Sequence, residues 1–329
     1  MTTVEAMLAE ATEVNSVERC RIAILVPCYN EEKSIPRVIA DFRAALPHAA
    51  VYVYDNNSKD RTVEVAAQAG AVVRRESHQG KGHVVRRMFT DVEADIYVLV
   101  DGDATYDASS VRGMIGRLLD DRLDMVVGAR VDREHTAYRP GHRTGNRMLT
   151  SFVTFLFGRA FSDILSGYRV FSRRFVKSFP VLSGGFEIET ELTVHALELE
   201  LPVAEVETPY YSRAAGSASK LHTWRDGFRI LWTIIRLCRS ERPFQFFSVI
   251  AAALAAIAII LAIPVIATFV QQGIVPRLPT AVLSTGLMLA AALAFMSGLI
   301  LDTVTRGRRE LKLLAYLSHR APGDERRKA

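Results

Sequence analysis

Cysteine is scarce in this chain and poorly placed for any shared task. Its three copies, Cys20, Cys28 and Cys238, show neither CxxC spacing nor an even framework. That excludes a disulfide scaffold and a thiolate zinc site, and it suits reduced thiols in a cytosolic compartment. The histidines His83, His142 and His222 also lack ligand-like spacing and read as polar surface residues. No basic-then-apolar segment opens the chain, so no signal peptide is expected to export the first domain. Gly80-Lys81-Gly82 resembles a phosphate-contacting turn, but the other Walker A residues are missing, which excludes a P-loop. Charge itself is absent from two long stretches, Phe246 to Val270 and Thr280 to Leu301.

What is present explains those absences. A chain of 329 residues accommodates one large α/β domain and an appendage. Hydrophobic content is 49% and mean hydropathy +0.13, high for a chain with 23% charged residues. Each uncharged stretch exceeds the ~20 residues a helix needs to cross ~30 Å of hydrocarbon. The link between them, Gln271 to Pro279, carries only Arg277. A buried hairpin in a soluble core is the competing reading, and it is disfavoured because soluble helices rarely lack a polar face for so long. Arg225, Arg229, Arg236, Arg239 and Arg242 precede the first span; Arg306, Arg308, Arg309 and Lys312 come after the second. The positive-inside rule then places the catalytic domain and both termini in the cytosol, with the spans in the plasma or inner membrane. The net charge of +5, gathered around the apolar region, points to a membrane surface or an anionic substrate, not to nucleic acid. Between Thr223 and Leu237, arginines alternate with Phe228, Leu231, Trp232 and Ile235. This pattern predicts an amphipathic helix lying in the headgroup layer, with a surface helix packed on the catalytic domain as the alternative.

Upstream, short apolar runs (Ile22–Val26, Val51–Tyr54, Ala71–Arg74, Ile96–Val100, Met125–Gly128) alternate with helical stretches such as Ile35–Ala45, Thr62–Ala69 and Val84–Thr90. Runs this continuous predict a mostly parallel sheet covered on both faces, with ligands bound beyond the carboxyl ends of the strands. Three polar clusters fall there: Pro27-Cys-Tyr-Asn-Glu31, Asp55-Asn-Asn-Ser-Lys-Asp60 and Asp101-Gly-Asp103. A lone Asp-x-Asp is commonly a solvated loop pair. Placed after a buried strand beside two companion clusters, Asp101 and Asp103 could hold a hard divalent ion against a diphosphate.

These clusters, with Gly80-Lys81-Gly82, Asp163-Ile-Leu-Ser-Gly-Tyr-Arg169 and Gly216-Ser-Ala-Ser-Lys220, resemble in order and spacing the inverting family 2 glycosyltransferases of GT-A fold. With two C-terminal spans the whole is similar to the polyprenyl-phosphate glycosyltransferases, the group of dolichyl-phosphate mannose synthase and bactoprenol glucosyltransferases. The resemblance implies a Rossmann-like α/β catalytic domain, followed by the interface helix and two transmembrane helices. It divides the chain into an extension (1–20), the transferase domain (21–220), the juxtamembrane helix (221–242), the hairpin (243–304) and a basic cytosolic tail (305–329). It further implies that Pro27, Tyr29, Glu31 and Asp55 line a nucleoside pocket, that Lys81 lies near the donor, and that Asp101 and Asp103 hold Mg²⁺ or Mn²⁺. Where dolichyl-phosphate mannose synthases carry a metal-binding glutamine, this sequence has Thr105. Arg130, Arg143 and Arg169 match family arginines near an acceptor phosphate, and guanidinium forks suit phosphate oxygens. Lys220 matches a basic residue that closes over the phosphates. Glu189 falls near the register of a family catalytic base, but an ionised lipid phosphate needs no base, so Glu189 is also open to a positioning role.

The expected reaction is in-line displacement with inversion, from a nucleotide-sugar (a UDP-sugar ahead of GDP-mannose) to a polyprenyl phosphate. The alternatives are transfer to a hydroxyl of a lipid or lipid-linked glycan with Glu189 as base, and a non-catalytic membrane scaffold. Membrane lipids are expected neighbours, nucleic acid is not, and a homo-oligomer is left open.

Overall fold

The computed structural model describes residues 20–132, 150–151, 153–154, 161–181, 184–185, 187–211, 232, 235–236 and 238–322. The chain divides into two compact units, Met1–Asp226 together with Lys312–Ala329, and Gly227–Leu311.

In the first unit the predicted alternation is realised. Strands β1 (Ile22–Cys28), β2 (Ala50–Asp55), β3 (Val72–Arg75) and β4 (Ile96–Leu99) are separated by helices α1 (Ile35–Ala45), α2 (Thr62–Gln68) and α3 (Lys81–Asp91). Helix α4 (Val111–Asp120) leads into β5 (Met125–Asp132); β6 (Arg169–Ser172), α5 (Arg173–Ser178), α6 (Ile188–Glu198) and β7 (Val203–Tyr210) come next. The seven strands form one sheet in the order β3-β2-β1-β4-β6-β5-β7. All neighbours are parallel except β6, which runs antiparallel between β4 and β5. That inserted strand is what the apolar pattern does not disclose: Arg-Val-Phe-Ser is short, opens on a cation, and is buried at all four positions. A strand buried on both faces needs no polar alternation, so β4 (Ile-Tyr-Val-Leu) is equally buried throughout.

At the far end of β5 from the Asp101 edge, Asp124 is fully buried and accepts bonds from Ser172 Oγ (2.6 Å), the Arg174 guanidinium (2.5 and 2.9 Å) and Tyr316 Oη (2.8 Å). Lys312 Nζ lies 2.6 Å from Glu198 Oε2 at the end of α6. Lys312 and Tyr316 are thus bonded within the transferase unit.

The second unit contains α7 (Pro243–Gln272) and α8, which runs Leu278–Leu317 and crosses into the first unit. Both are long and apolar enough to cross a membrane, with window hydropathies of 3.0 and 2.0. Gly273, left-handed at φ 68°, closes α7 by donating to Phe269 O. Helix α8 continues past the expected boundary at 304 into the predicted basic tail. Most of the predicted juxtamembrane helix lies outside the described residues.

His195 provides a stability test. It packs between Phe175 and Phe179 at 2% exposure. Burial, reinforced by nearby Lys312, pushes its pKa from 6.5 down to about 3. The folded protein therefore keeps the ring neutral where the unfolded chain would protonate it. Its contribution is intact above pH 6.5 and is lost as pH falls toward 3. Between about pH 7 and about pH 5, His195→Gln should lose less melting temperature than the parent. Equal losses would exclude the buried neutral histidine as a source of acid sensitivity.

Candidate active site

The parallel pairing of β1 with β2 and β4 sends Cys28, Asp55 and Asp101 out of the same sheet edge. The loops there are tied to one another by short polar side chains. Asn30 N donates to Ser58 Oγ (2.8 Å), Lys59 N to Asn30 Oδ1 (2.7 Å) and Glu31 N to Thr62 Oγ1 (2.8 Å). Asp55 is buried and accepts Ser58 N through both oxygens at 3.3 Å. Glu31 accepts Ser34 Oγ at 2.8 Å, and Pro27 and Tyr29 are half-buried on the same loop. Asn56 reaches across to the next loop. Its amide donates to the carbonyls of Glu76 and His78, and its oxygen accepts Gly80 N at 2.7 Å. This fixes the turn from which α3 starts, and with it the position of Lys81.

Lys81 is the centre of the site. Its Nζ donates to Asp101 Oδ1 and Glu189 Oε1, each at 2.5 Å, with the lysine side chain only 10% exposed. Burial opposes the charge, but the two carboxylates override it and hold the ammonium well above the ordinary lysine range. Gly80, at φ 137°, makes the approach possible: a Cβ there would fall 2.0 Å from Gly184 O. The neighbouring Gly82 N donates to Gly185 O.

Asp103 is buried, and its Oδ1 accepts Thr105 Oγ1 at 2.6 Å and Thr105 N at 3.3 Å. Thr105 therefore orients the Asp103 carboxylate. Behind Asp101 runs the 163–169 segment, where Gly167 comes so close that a Cβ would lie 2.4 Å from Asp101 Oδ2. Gly167 N donates to Tyr106 Oη at 2.9 Å. The local field is negative. The buried Cys28 thiol is pushed up by desolvation first and then by Glu31, Asp55, Asp101 and Asp103, which keeps it protonated and removes it from nucleophilic chemistry.

Two hard oxygen donors at a strand end suit a divalent metal, although Lys81 already neutralises one of them. Among the described residues no group of three or more His, Cys, Asp or Glu could hold a metal unaided.

The arginines divide. Arg130 donates from Nε and Nη2 to the two oxygens of Asp163 at 2.6 and 2.8 Å, with Tyr210 5.4 Å below its guanidinium. Arg169 departs from expectation. It is completely buried and donates to the carbonyls of Ser166 and Ile164 and to Thr193 Oγ1, so it is a strut under the 163–169 segment and is not presented to an acceptor. Desolvation lowers its pKa to about 10. Glu189 is 5% exposed and engaged by Lys81, which favours a positioning role over that of a base. Arg143 and Lys220 lie outside the described residues. Sequence reasoning misses Asn56, Asp163 and Gly167 as site residues, although all three sit in its motifs; an acid six residues before Arg169 is a visible partner for a cation.

The Glycosyl transferase family 2 profile matches residues 23–179. Glycosyltransferase AglJ of Haloferax volcanii is 34% identical over 291 residues, 88% of this chain and 95% of its own length. The chain belongs to glycosyltransferase family 2. A dolichyl-phosphate hexose transferase of the same organism is 28% identical over 67% of this chain and 95% of its own. Glucosyl-3-phosphoglycerate synthase of Mycobacterium tuberculosis, solved with Mn²⁺, UDP-glucose and phosphoglyceric acid, matches with a TM-score of 0.56 over 69% of this chain and 83% of that one. At 21% identity that likeness establishes the GT-A fold.

In this family 2 enzyme, Gly167→Ala should displace Asp101 and lower glycosyl transfer by at least about tenfold, a shift of roughly 1.4 kcal/mol in the barrier. Gly113, in an exposed helical position with nothing within 4 Å of its would-be Cβ, is the control. Gly113→Ala should keep activity and gain about 0.5–1 kcal/mol of stability. Equal activity of the two variants would refute the close packing of Gly167 on the site.

Proposed function

We propose that this chain transfers a hexose, with inversion, from a nucleotide-sugar to a polyprenyl phosphate at the cytosolic membrane face, for cell-envelope glycan or glycoconjugate synthesis. UDP-sugars are favoured over GDP-mannose. The observation that carries this reading is the pairing of Asp101 and Asp103 at one sheet edge, with a buried lysine bonded to Asp101, in a chain that continues into two apolar helices. The named activity of the dolichyl-phosphate relative supports a lipid phosphate acceptor, and the UDP-glucose and Mn²⁺ in the structural neighbour support the donor class and a divalent ion.

On this reading Pro27, Tyr29, Glu31 and Asp55 shape the nucleoside pocket. Asp101 and Asp103 hold Mg²⁺ or Mn²⁺, which when bound neutralises charge on the departing diphosphate. Lys81, with Lys220, supplies positive charge to the same phosphates. An acceptor phosphate oxygen attacks the anomeric carbon as the bond to the diphosphate breaks on the opposite side. Arg130 and Arg143 reduce the repulsion between the incoming phosphate and the donor, while Arg169 holds the wall on which Asp163 and Gly167 sit. The apolar helices span the membrane with both ends cytosolic, keeping the unit at the headgroup layer.

Purified protein in lipid nanodiscs, supplied with a nucleotide-sugar panel, tests the proposal with polyprenyl phosphate against free polyprenol. Transfer should require the phosphorylated lipid and stop with EDTA. Asp103→Asn should lose at least about a hundredfold in turnover, in keeping with several kcal/mol of charge stabilisation. Transfer to the free alcohol that Glu189→Gln abolishes would establish the hydroxyl-acceptor reading instead.

A further inference from the structure

Lys81 already neutralises one of the two carboxylates proposed to hold the metal. Its Nζ stands 2.5 Å from Asp101 Oδ1 in a site where the lysine is 10% and Asp101 29% exposed. A divalent ion of the Mg²⁺ type binds carboxylate oxygen at about 2.0–2.1 Å in a demanding octahedral shell. A divalent ion brought onto Asp101 would sit close to the ammonium, and two cations at such separations repel strongly.

We propose that Lys81 is an internal counter-cation that keeps the metal's place on Asp101 until a nucleoside diphosphate arrives, making metal binding depend on the nucleotide. The inference rests on the nucleotide-sugar reading above and adds an order to it. Three features favour exchange over simple blockade. The backbone of Lys81 is pinned by the Gly80 contact with Gly184 and by the Gly82–Gly185 hydrogen bond, so only the flexible side chain has to move. Glu189, 7% exposed in its side chain and 2.5 Å away, gives the ammonium a second anchor to keep when Asp101 is taken. Among the described residues no group of three or more candidate ligands could hold a metal, and Asp101 of the pair is already neutralised. A diphosphate brings both the missing oxygen ligands and the negative charge that compensates a displaced lysine.

The test measures Mn²⁺ binding, by the electron paramagnetic resonance signal of the free ion, to the full chain in phosphatidylcholine nanodiscs without nucleotide, with UDP and with GDP. In the parent, one of the nucleotides should tighten Mn²⁺ binding. Lys81→Met should bind Mn²⁺ alone about tenfold more tightly, and the gain on adding nucleotide should shrink by about the same factor, since coupling between two ligands is reciprocal and measurable as a ratio of affinities. A variant that loses the nucleotide gain yet binds Mn²⁺ alone no more tightly than the parent overturns the proposal, because Lys81 would then be a plain phosphate ligand. An unchanged gain overturns it too. If neither nucleotide affects Mn²⁺ binding to the parent, the donor reading itself fails, which is a separate outcome. Should Lys81→Met not fold, Glu189→Gln removes the second anchor, and Mn²⁺ alone should then bind more weakly than to the parent. Equal or tighter binding there also refutes the exchange.

Discussion

Carboxylates converge where the parallel strands end, and their mutual repulsion conditions everything built around them. Two unit charges about 4 Å apart repel by roughly 4 kcal/mol at an effective dielectric of 20. Glu31, Asp55, Asp101, Asp103 and Glu189 belong to this region, and the buried Cys28 thiol registers the field of the first four. Each acid is answered individually. Ser34 bonds Glu31, Ser58 N bonds Asp55, Thr105 bonds Asp103, and Lys81 serves Asp101 and Glu189 together. Only the last of these supplies full positive charge. Lys81 is thus the cation that joins Asp101 to Glu189, while dipoles orient the neighbouring acids.

Cations are engaged as strictly as acids. Arg130 grips Asp163 through a two-pronged fork, and Arg169 satisfies two carbonyls and a hydroxyl in the interior. Such a buried cation is tolerable only because its donors are met; leaving one unmet typically costs about 1–3 kcal/mol or more. Arg169 also ties the chain of Glu189 to that of Gly167, since the Thr193 hydroxyl it meets donates to Glu189 O. The wall behind Asp101 and the helix that presents Glu189 are therefore parts of one bonded layer.

The strands, the helices between them and the common edge of the three polar clusters are legible because buried parallel strands leave apolar runs of the right length. The order of the sheet is not. Arg169-Val-Phe-Ser172 looks like the end of a motif and gives no sign that it inserts antiparallel between β4 and β5. Arg169 reads as a phosphate ligand in the sequence because arginine type and motif position say nothing about burial. Partnering is equally hidden: Lys81 and Glu189 are 108 residues apart, and only the fold brings them to bonding distance. Thr105 is visible as a substitution, but its support of Asp103 depends on the turn at Ala104, which is left-handed at φ 58°.

In the second unit the packing has a sevenfold period. Ala251, Ala258 and Val265 are the buried positions along the apolar length of α7, and Ser284, Ala291 and Gly298 are those of α8. Small residues at that spacing let two helices approach closely without a water-driven core, and a Cβ at Gly298 would lie 3.0 Å from Phe247. The large side chains point away: Ile259, Ile263, Phe269, Leu289 and Leu293 are each more than half exposed. Only 11% of each apolar window is buried, whereas a hairpin forming the core of a soluble domain would bury most of it. Left in water, that surface would far exceed the few hundred Å² of contiguous apolar patch that soluble proteins carry. Hydrocarbon is the solvent that matches it, and a polyprenyl chain, at about 0.8 kcal/mol for each CH₂ buried, resides in the same phase. On the proposed reading, the constraint on this enzyme is to bring a charged site to an acceptor whose tail cannot leave the bilayer.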